Sequence, residues 1–186
     1  QQIPVHTTNR YNVNHSSVNF GPQNLHVVNR SNKFSHAFHL PKLCNINPHS
    51  IYNKQSEFVT FVENMESDVI FMSESWERLN YTLEEVMKPL EDHTVISNVH
   101  QREGKGGRPA LIINSKKYLV QNITQSVILI PWGVEAVWAL ITPKGIQSDS
   151  LIQRIVCGSL YMKDSSKSCV PLLDHITDVY NILSSK

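Results

Sequence analysis

Between Lys42 and Ser73 a short apolar run, an amphipathic segment and a second apolar run follow one another, and this triplet restricts the chain more than any other feature. Lys42 to Asn47 reads as a strand that Pro48 stops, because proline has no N–H to give the next ladder bond. Ser50 is placed to cap a helix that runs to Met65. Ile51, Phe58, Val62 and Met65 share one face of it, with Lys54, Glu57 and Glu63 elsewhere. Asp68 to Ser73 is then apolar without alternation, as expected of a strand covered on both faces. Strand, helix, buried strand is a βαβ unit with a right-handed crossover, so the fold class is α/β.

Further along, Thr82-Leu83-Glu84-Glu85 is a capping-box pattern that predicts a short helix to Met87, with Pro89 as its limit. Thr94 to Val99 reads as a strand, and Gly104-Lys105-Gly106-Gly107 as a turn. The chain then becomes β-rich. Ala110 to Ile113, Tyr118 to Ile123, Ser126 to Ile130, Val134 to Ile141 and Arg154 to Leu160 are the expected strands. Ala136, Trp138 and Leu140 alternate with Val137, Ala139 and Ile141, so both faces of that strand are apolar and it belongs in the middle of a sheet. Pro171 to Leu183 predicts a closing helix with Leu172, Ile176, Val179, Tyr180 and Leu183 on one face.

Composition sets limits on function. The 186 residues suffice for one domain with a proper core. A net charge of +1 gives no bulk electrostatic argument for nucleic acid, although no acidic residue precedes Glu57 and the front of the chain is mildly basic. The three cysteines (Cys44, Cys157, Cys169) have no metal-type spacing, which points to a reducing compartment without a disulfide framework. No apolar run is long enough to span a bilayer, so no membrane association is expected. Residues 1–39 hold seven Asn and five His among few large apolar groups, and this Asn/His-rich tail is expected to be disordered. Residues 40–186 form the expected domain.

Few residues are placed for chemistry. Glu74 follows the buried strand, where a carboxylate must be exposed, paired or bound to a cation. Ligand sites of α/β sheets lie beyond the carboxyl ends of strands, and Mg²⁺ is held there by one or two carboxylates with water and phosphate oxygens. The structural alternative is a glutamate that caps a loop between Ser73 and Ser75. Asn45 ends the first strand, where an amide can orient a carboxylate or reach a phosphate, or can serve the turn before Pro48. Lys105 and Arg108 lie in or beside the glycine-rich turn and could contact phosphates, although the spacing is not that of a P-loop. Tyr161 ends the last strand. His93, His100 and His175 read as structural. No nucleophile elbow, zinc motif or dinucleotide fingerprint is present.

The order of these motifs, Leu43-Cys44-Asn45-Ile46-Asn47, Ser73-Glu74-Ser75-Trp76, Gly106-Gly107 before Ala110-Leu111-Ile112-Ile113, then a strand ending in Tyr161, resembles the endonuclease/exonuclease/phosphatase superfamily. Within it the similarity is to the N-terminal endonuclease domain of reverse transcriptases from non-LTR retrotransposons, over Leu40 to Lys186. The resemblance implies a two-sheet α/β sandwich of the DNase I-like type. It implies that Glu74 binds the metal, Mg²⁺ with Mn²⁺ as the alternative, and that Asn45 and Tyr161 are catalytic residues positioning the scissile phosphate. DNA as substrate, a reverse transcriptase within the same polyprotein as partner, and an intracellular location, nuclear or cytoplasmic, follow from the same likeness. The Gly-Asp-x-Asn strand and Ser-Asp-His motif of such enzymes do not occur in these residues. The expectation is therefore the first part of a DNA-nicking endonuclease domain, truncated at its C-terminal end and inactive as this fragment. The alternatives are a catalytically dead interaction module, or a phosphoesterase of the same fold acting on a small phosphate ester.

Overall fold

A computed structural model describes residues 26–28, 40–77, 81–97, 107–127, 130–145, 154–162 and 168–184. Its elements run β1 (His26–Val28), β2 (Leu43–Ile46), α1 (Gln55–Met65), β3 (Val69–Met72), α2 (Leu83–Met87), β4 (His93–Ser97), β5 (Ala110–Asn114), β6 (Tyr118–Asn122), α3 (Thr124–Val127), β7 (Val134–Pro143), β8 (Ile155–Met162) and α4 (Val170–Ser184). One sheet has the order β1-β2-β3-β5-β4 and the other β6-β7-β8. The fold is thus the two-sheet α/β sandwich that the motif order implies.

The βαβ unit stands at its centre. β2 and β3 pair in parallel, with Asn45 opposite Phe71 and Ile46 opposite Met72. Side-chain parity then sorts the core into layers. Ile70 and Met72 of β3, with Ala110 and Ile112 of β5, meet Phe58, Phe61 and Val62 of α1 and Leu83 and Met87 of α2. Val69, Leu111 and Ile113 point the other way, against Val137, Ala139 and Ile141 of β7. The opposite face of β7 carries Ala136 and Trp138 to Val179 of α4. The layers are helix, sheet, sheet, helix, and β7 lies centrally in its sheet, as its two apolar faces require. Each fully buried Ile, Leu or Phe here is worth about 1.5–3 kcal/mol relative to an exposed one.

Asp68, buried just before β3, is held at the end of the sheet away from Glu74. Its Oδ2 accepts the Lys42 N–H at 2.8 Å, and its Oδ1 pairs with Lys117 Nζ at 2.6 Å. The Thr82 capping box forms as expected and opens α2.

Three expectations change. The helix capped by Ser50 starts later, at Gln55 with Lys54 as N-cap. Ser50 is engaged elsewhere: its N–H donates to Glu74 O at 3.2 Å and its hydroxyl accepts the Tyr52 N–H at 3.2 Å. The strand expected over Ser126–Ile130 is replaced at its start by the short helix α3. Thr124 causes this. Its hydroxyl accepts from Trp138 N at 2.9 Å and lies 3.3 Å from Trp138 O, which turns the chain back onto β7. Finally, within the segment expected to be disordered, His26–Val28 forms strand β1 antiparallel to β2. The rest of residues 1–39 lies outside the described residues. Among the described residues, no helix is long and apolar enough to cross a membrane.

Candidate active site

Glu74 lies two residues beyond β3, on a segment bound to its neighbours through the backbone. Ser73 N–H donates to Ile46 O, Ser75 N–H to Arg108 O, and Trp76 N–H to Gly107 O, at 3.2, 3.2 and 3.4 Å. The chain after β2 returns the contact, since Ser50 and Ile51 donate to the carbonyls of Glu74 and Ser75. The carboxylate is fixed between two rings. Trp76 Nε1 donates to Glu74 Oε2 at 3.2 Å, and His49 Nδ1 lies 3.3 Å from the same oxygen. The two rings meet with centroids 4.5 Å apart. The Glu74 side chain keeps 18% exposure, enough for a ligand at the surface to reach it. Both contacts use Oε2, so Oε1 has no donor among the described residues.

His49 and Ser50 hold left-handed backbone, with φ of 48° and 85°. The Asn47 side chain supports this bend by accepting the His49 N–H at 3.0 Å. Asn47 and His49 escape sequence reasoning because Pro48 marks the segment as a turn and nothing in the pattern shows where that turn points.

Asn45 shares with Phe71 the sheet face turned toward β8. It lines a cleft of about 1070 Å³ together with Phe71, Ser73 and residues of β8. Parallel pairing puts Asn45 at the same sheet end as Glu74, three positions short of it in register. Tyr161 reaches that end from the second sheet. It pairs with Glu135 across β7 and β8, and its ring stands against Gly107, where an added Cβ would lie 3.0 Å from the ring carbons. Gly107 has φ of 72°, a conformation suited to glycine. Since Gly107 O accepts from Trp76 N, one glycine joins the Tyr161 side of the site to the Glu74 side.

Arg108 does not occupy a solvated loop. It is 6% exposed, with φ of 67°, and its charge acts inward on Glu77. Its N–H donates to Glu135 Oε2 at 2.6 Å. Lys105 lies outside the described residues. Glu135 and Glu77 are carboxylates at this end that the sequence pattern does not single out. Glu135 alternates with core residues in an otherwise apolar strand, and that anomaly is the signal that could have found it.

Of the histidines read as structural, His175 is 1% exposed and accepts a hydrogen bond from Trp138 Nε1 at 3.2 Å. Burial lowers the His93 and His175 imidazoles from their ordinary value. His100 lies outside the described residues. Among the described residues, no group of three or more His, Cys, Asp or Glu side chains gathers as a metal cage. Glu74 nevertheless suits a hard cation that takes one carboxylate and completes its shell from water and phosphate. Among the described residues it is anchored through one oxygen and has no donor on the other.

No protein-family model matches the sequence, and no curated protein does. Solved structures do match. The fold is similar to that of humanized D. rerio TDP2 carrying 14 mutations, with a TM-score of 0.52 and 10% identity over 76% of this chain and 55% of that one. It is also similar to the human Nocturnin catalytic domain with bound sulfate anion, with a TM-score of 0.46 and 11% identity over 68% of this chain and 51% of that one. The chain spans about half the length of these two structures. The likeness to TDP2 places the fold among the DNase I-like α/β sandwiches.

Proposed function

We propose that this chain carries the metal-binding side of a phosphodiesterase site that nicks DNA, in the manner of retrotransposon endonuclease domains. The observation that carries this reading is the convergence of Asn45, Glu74 and Tyr161, from two different sheets, on one end of a DNase I-like sandwich. Glu74 would hold Mg²⁺, or Mn²⁺, through the oxygen left open by Trp76 and His49. When bound, such an ion acts as a Lewis acid toward phosphoryl and leaving oxygens.

The remaining roles belong to the chain itself. Trp76 and His49 fix the rotation of the Glu74 carboxylate, so the ligand oxygen is presented in one direction. Asn45 would offer a neutral amide from the cleft, and Tyr161 a phenol from beside Gly107, to a phosphate at that end of the sandwich. Neither adds negative charge beside a phosphate. Gly107 keeps the Tyr161 ring close to the Glu74 segment. Lys105 is the proposed contact to the DNA backbone. The order of motifs supports the finer context, an intracellular retroelement polyprotein that also carries a reverse transcriptase.

A supercoiled plasmid and a small phosphomonoester, offered together with Mg²⁺ to the polypeptide as its reading frame encodes it, test the substrate. Nicking that the phosphomonoester does not inhibit supports the DNA reading. Turnover of the small ester instead would favour a phosphoesterase of the same fold. Tight DNA binding with neither reaction would favour an interaction module.

A further inference from the structure

One buried carboxylate is left unused by the site. Glu77 follows Glu74 by three residues, and it is 0% exposed, as is Ser75. Its Oε1 accepts the Leu83 backbone N–H at 2.6 Å and the Ser97 hydroxyl at 3.0 Å. Its Oε2 lies 3.0 Å from Ser75 Oγ. The same Oγ lies 2.8 Å from the carbonyl oxygen of Arg108.

These contacts can be counted by their protons. A serine hydroxyl has one proton to donate. Ser75 therefore serves either Arg108 O or Glu77 Oε2, and the contact to Arg108 O is the shorter. With the proton there, the Oγ–Oε2 pair lacks one unless Glu77 supplies it. Two buried oxygens at hydrogen-bond distance without a proton between them repel, and the interior screens that repulsion poorly. A protonated Glu77 resolves all four contacts. Leu83 and Ser97 donate to Oε1, the Oε2 proton goes to Ser75, and the Ser75 proton goes to Arg108 O.

Electrostatics agree with the count. Burial raises the Glu77 carboxyl above its ordinary value, against the pull of its hydrogen bonds and of the Arg108 charge. Arg108 is the charged group that acts on Glu77, and burial outweighs its pull.

We propose that Glu77 is a neutral carboxylic acid in the folded protein, and that its proton fastens the Glu74 segment to the strand entry at Gly107–Arg108. Glu77 is then a positioning residue. It touches the start of α2 through Leu83, the end of β4 through Ser97 and the site segment through Ser75, and it reaches Glu74 only through that segment. The protonation state stands on the hydrogen-bond geometry. The positioning role rests on the phosphodiesterase reading.

The chemistry of glutamine gives a sharp test. In Glu77→Gln the new amide would donate to Ser75 and accept from Leu83 and Ser97, copying the neutral acid but not the carboxylate. In protein labelled with ¹³C at glutamate carboxyls, the resonance missing from Glu77→Gln should stay at the shift of a protonated acid while the surface glutamates titrate. Glu77→Gln should melt within about 2 °C of the parent, less than the shift of a 1 kcal/mol change in a chain of this size. Glu77→Leu, which leaves Ser75, Ser97 and the Leu83 N–H without that partner, should melt several degrees lower. A Glu77 resonance that titrates with the others, or a Gln variant as unstable as the Leu variant, overturns the proposal. For the positioning role, Glu77→Gln should keep plasmid nicking, while Glu77→Leu, assayed below its melting temperature, lowers kcat about tenfold with KM unchanged. Equal kcat in all three proteins overturns that role. These nicking assays use the polypeptide as its reading frame encodes it, and absence of nicking in that parent would fault the phosphodiesterase reading and leave the carboxyl result standing.

Discussion

Ser159 donates its hydroxyl proton to the Met72 carbonyl oxygen across the gap between the two sheets, at 2.7 Å. Ser159 precedes Tyr161 by two residues on β8, and Met72 precedes Glu74 by two on β3. The bond therefore ties together the two strands that lead into the candidate site, just before it. Ser159 is 4% exposed. Ser159→Ala should cost about 1–3 kcal/mol, the loss of a buried hydrogen bond. In urea unfolding this appears as a lower midpoint with an unchanged slope.

Gly158 lies opposite Trp138 in the β7–β8 ladder, and an added Cβ would run into the indole ring. Gly158→Ala should destabilise by about 1–3 kcal/mol through overpacking. It should also change the near-UV circular dichroism of the buried tryptophan. At Gly107 an added methyl meets the Glu135 carboxylate and the Tyr161 ring, on backbone that a side chain rarely adopts. Gly107→Ala should therefore lower stability and displace the tyrosine proposed to position the phosphate. Melting temperature and nicking rate measured on one preparation would register both effects.

The cysteines should separate by reactivity. Cys44 and Cys157 are buried, and burial pushes their thiols up to about 12 and about 11. Little thiolate forms at neutral pH, so attack on a disulfide reagent is slow. Cys169 is exposed. A colorimetric thiol titration should show one fast equivalent in the native protein and two more only after denaturation.

Two desolvated histidines give stability a pH dependence of definite sign. Burial holds His175 and His93 below their ordinary value of 6.5. A histidine lowered in this way contributes stability that is present above its unfolded value and is lost as pH falls through its folded value, because the unfolded chain takes up the proton first. Melting temperature should decline as pH drops below about 6.5. His175→Gln should flatten that decline, at the cost of some stability at neutral pH. A decline of equal slope in both proteins would remove His175 as a cause.

Local patterns made much of this fold readable. The paired runs around Cys44 and Ile70, the Thr82 capping box and the double apolar alternation of Val134 to Ile141 each carry their own periodicity or cap. What escaped was set by distant partners. Ser50 looks like an N-cap, but Glu74 O and Tyr52 N take its donor and acceptor, and the helix starts later. The run after Thr124 has a strand's composition, but the Thr124 hydroxyl locks to the Trp138 backbone and turns the chain. Arg108 reads as a loop cation beside glycines, yet the fold closes over it. In the candidate site, Asn45, Glu74 and Tyr161 could be picked out because each ends an apolar run. Glu135 left a signal, a carboxylate in an otherwise apolar strand, whereas nothing local in the pattern shows that His49 meets Glu74 and Trp76 or that Glu77 is closed off between Ser75, Leu83 and Ser97.

Glu74 decides the central claim. The polypeptide as its reading frame encodes it should be assayed on supercoiled plasmid with Mg²⁺, beside Glu74→Gln, with both proteins shown to be folded by circular dichroism. Gln keeps the size of the side chain and removes the charge that would hold the ion. The reading predicts Mg²⁺-dependent nicking by the parent and a loss of at least about 100-fold in the variant, beyond what removal of a mere supporting contact costs. Equal nicking by the two proteins would contradict it and take Glu74 out of the chemistry.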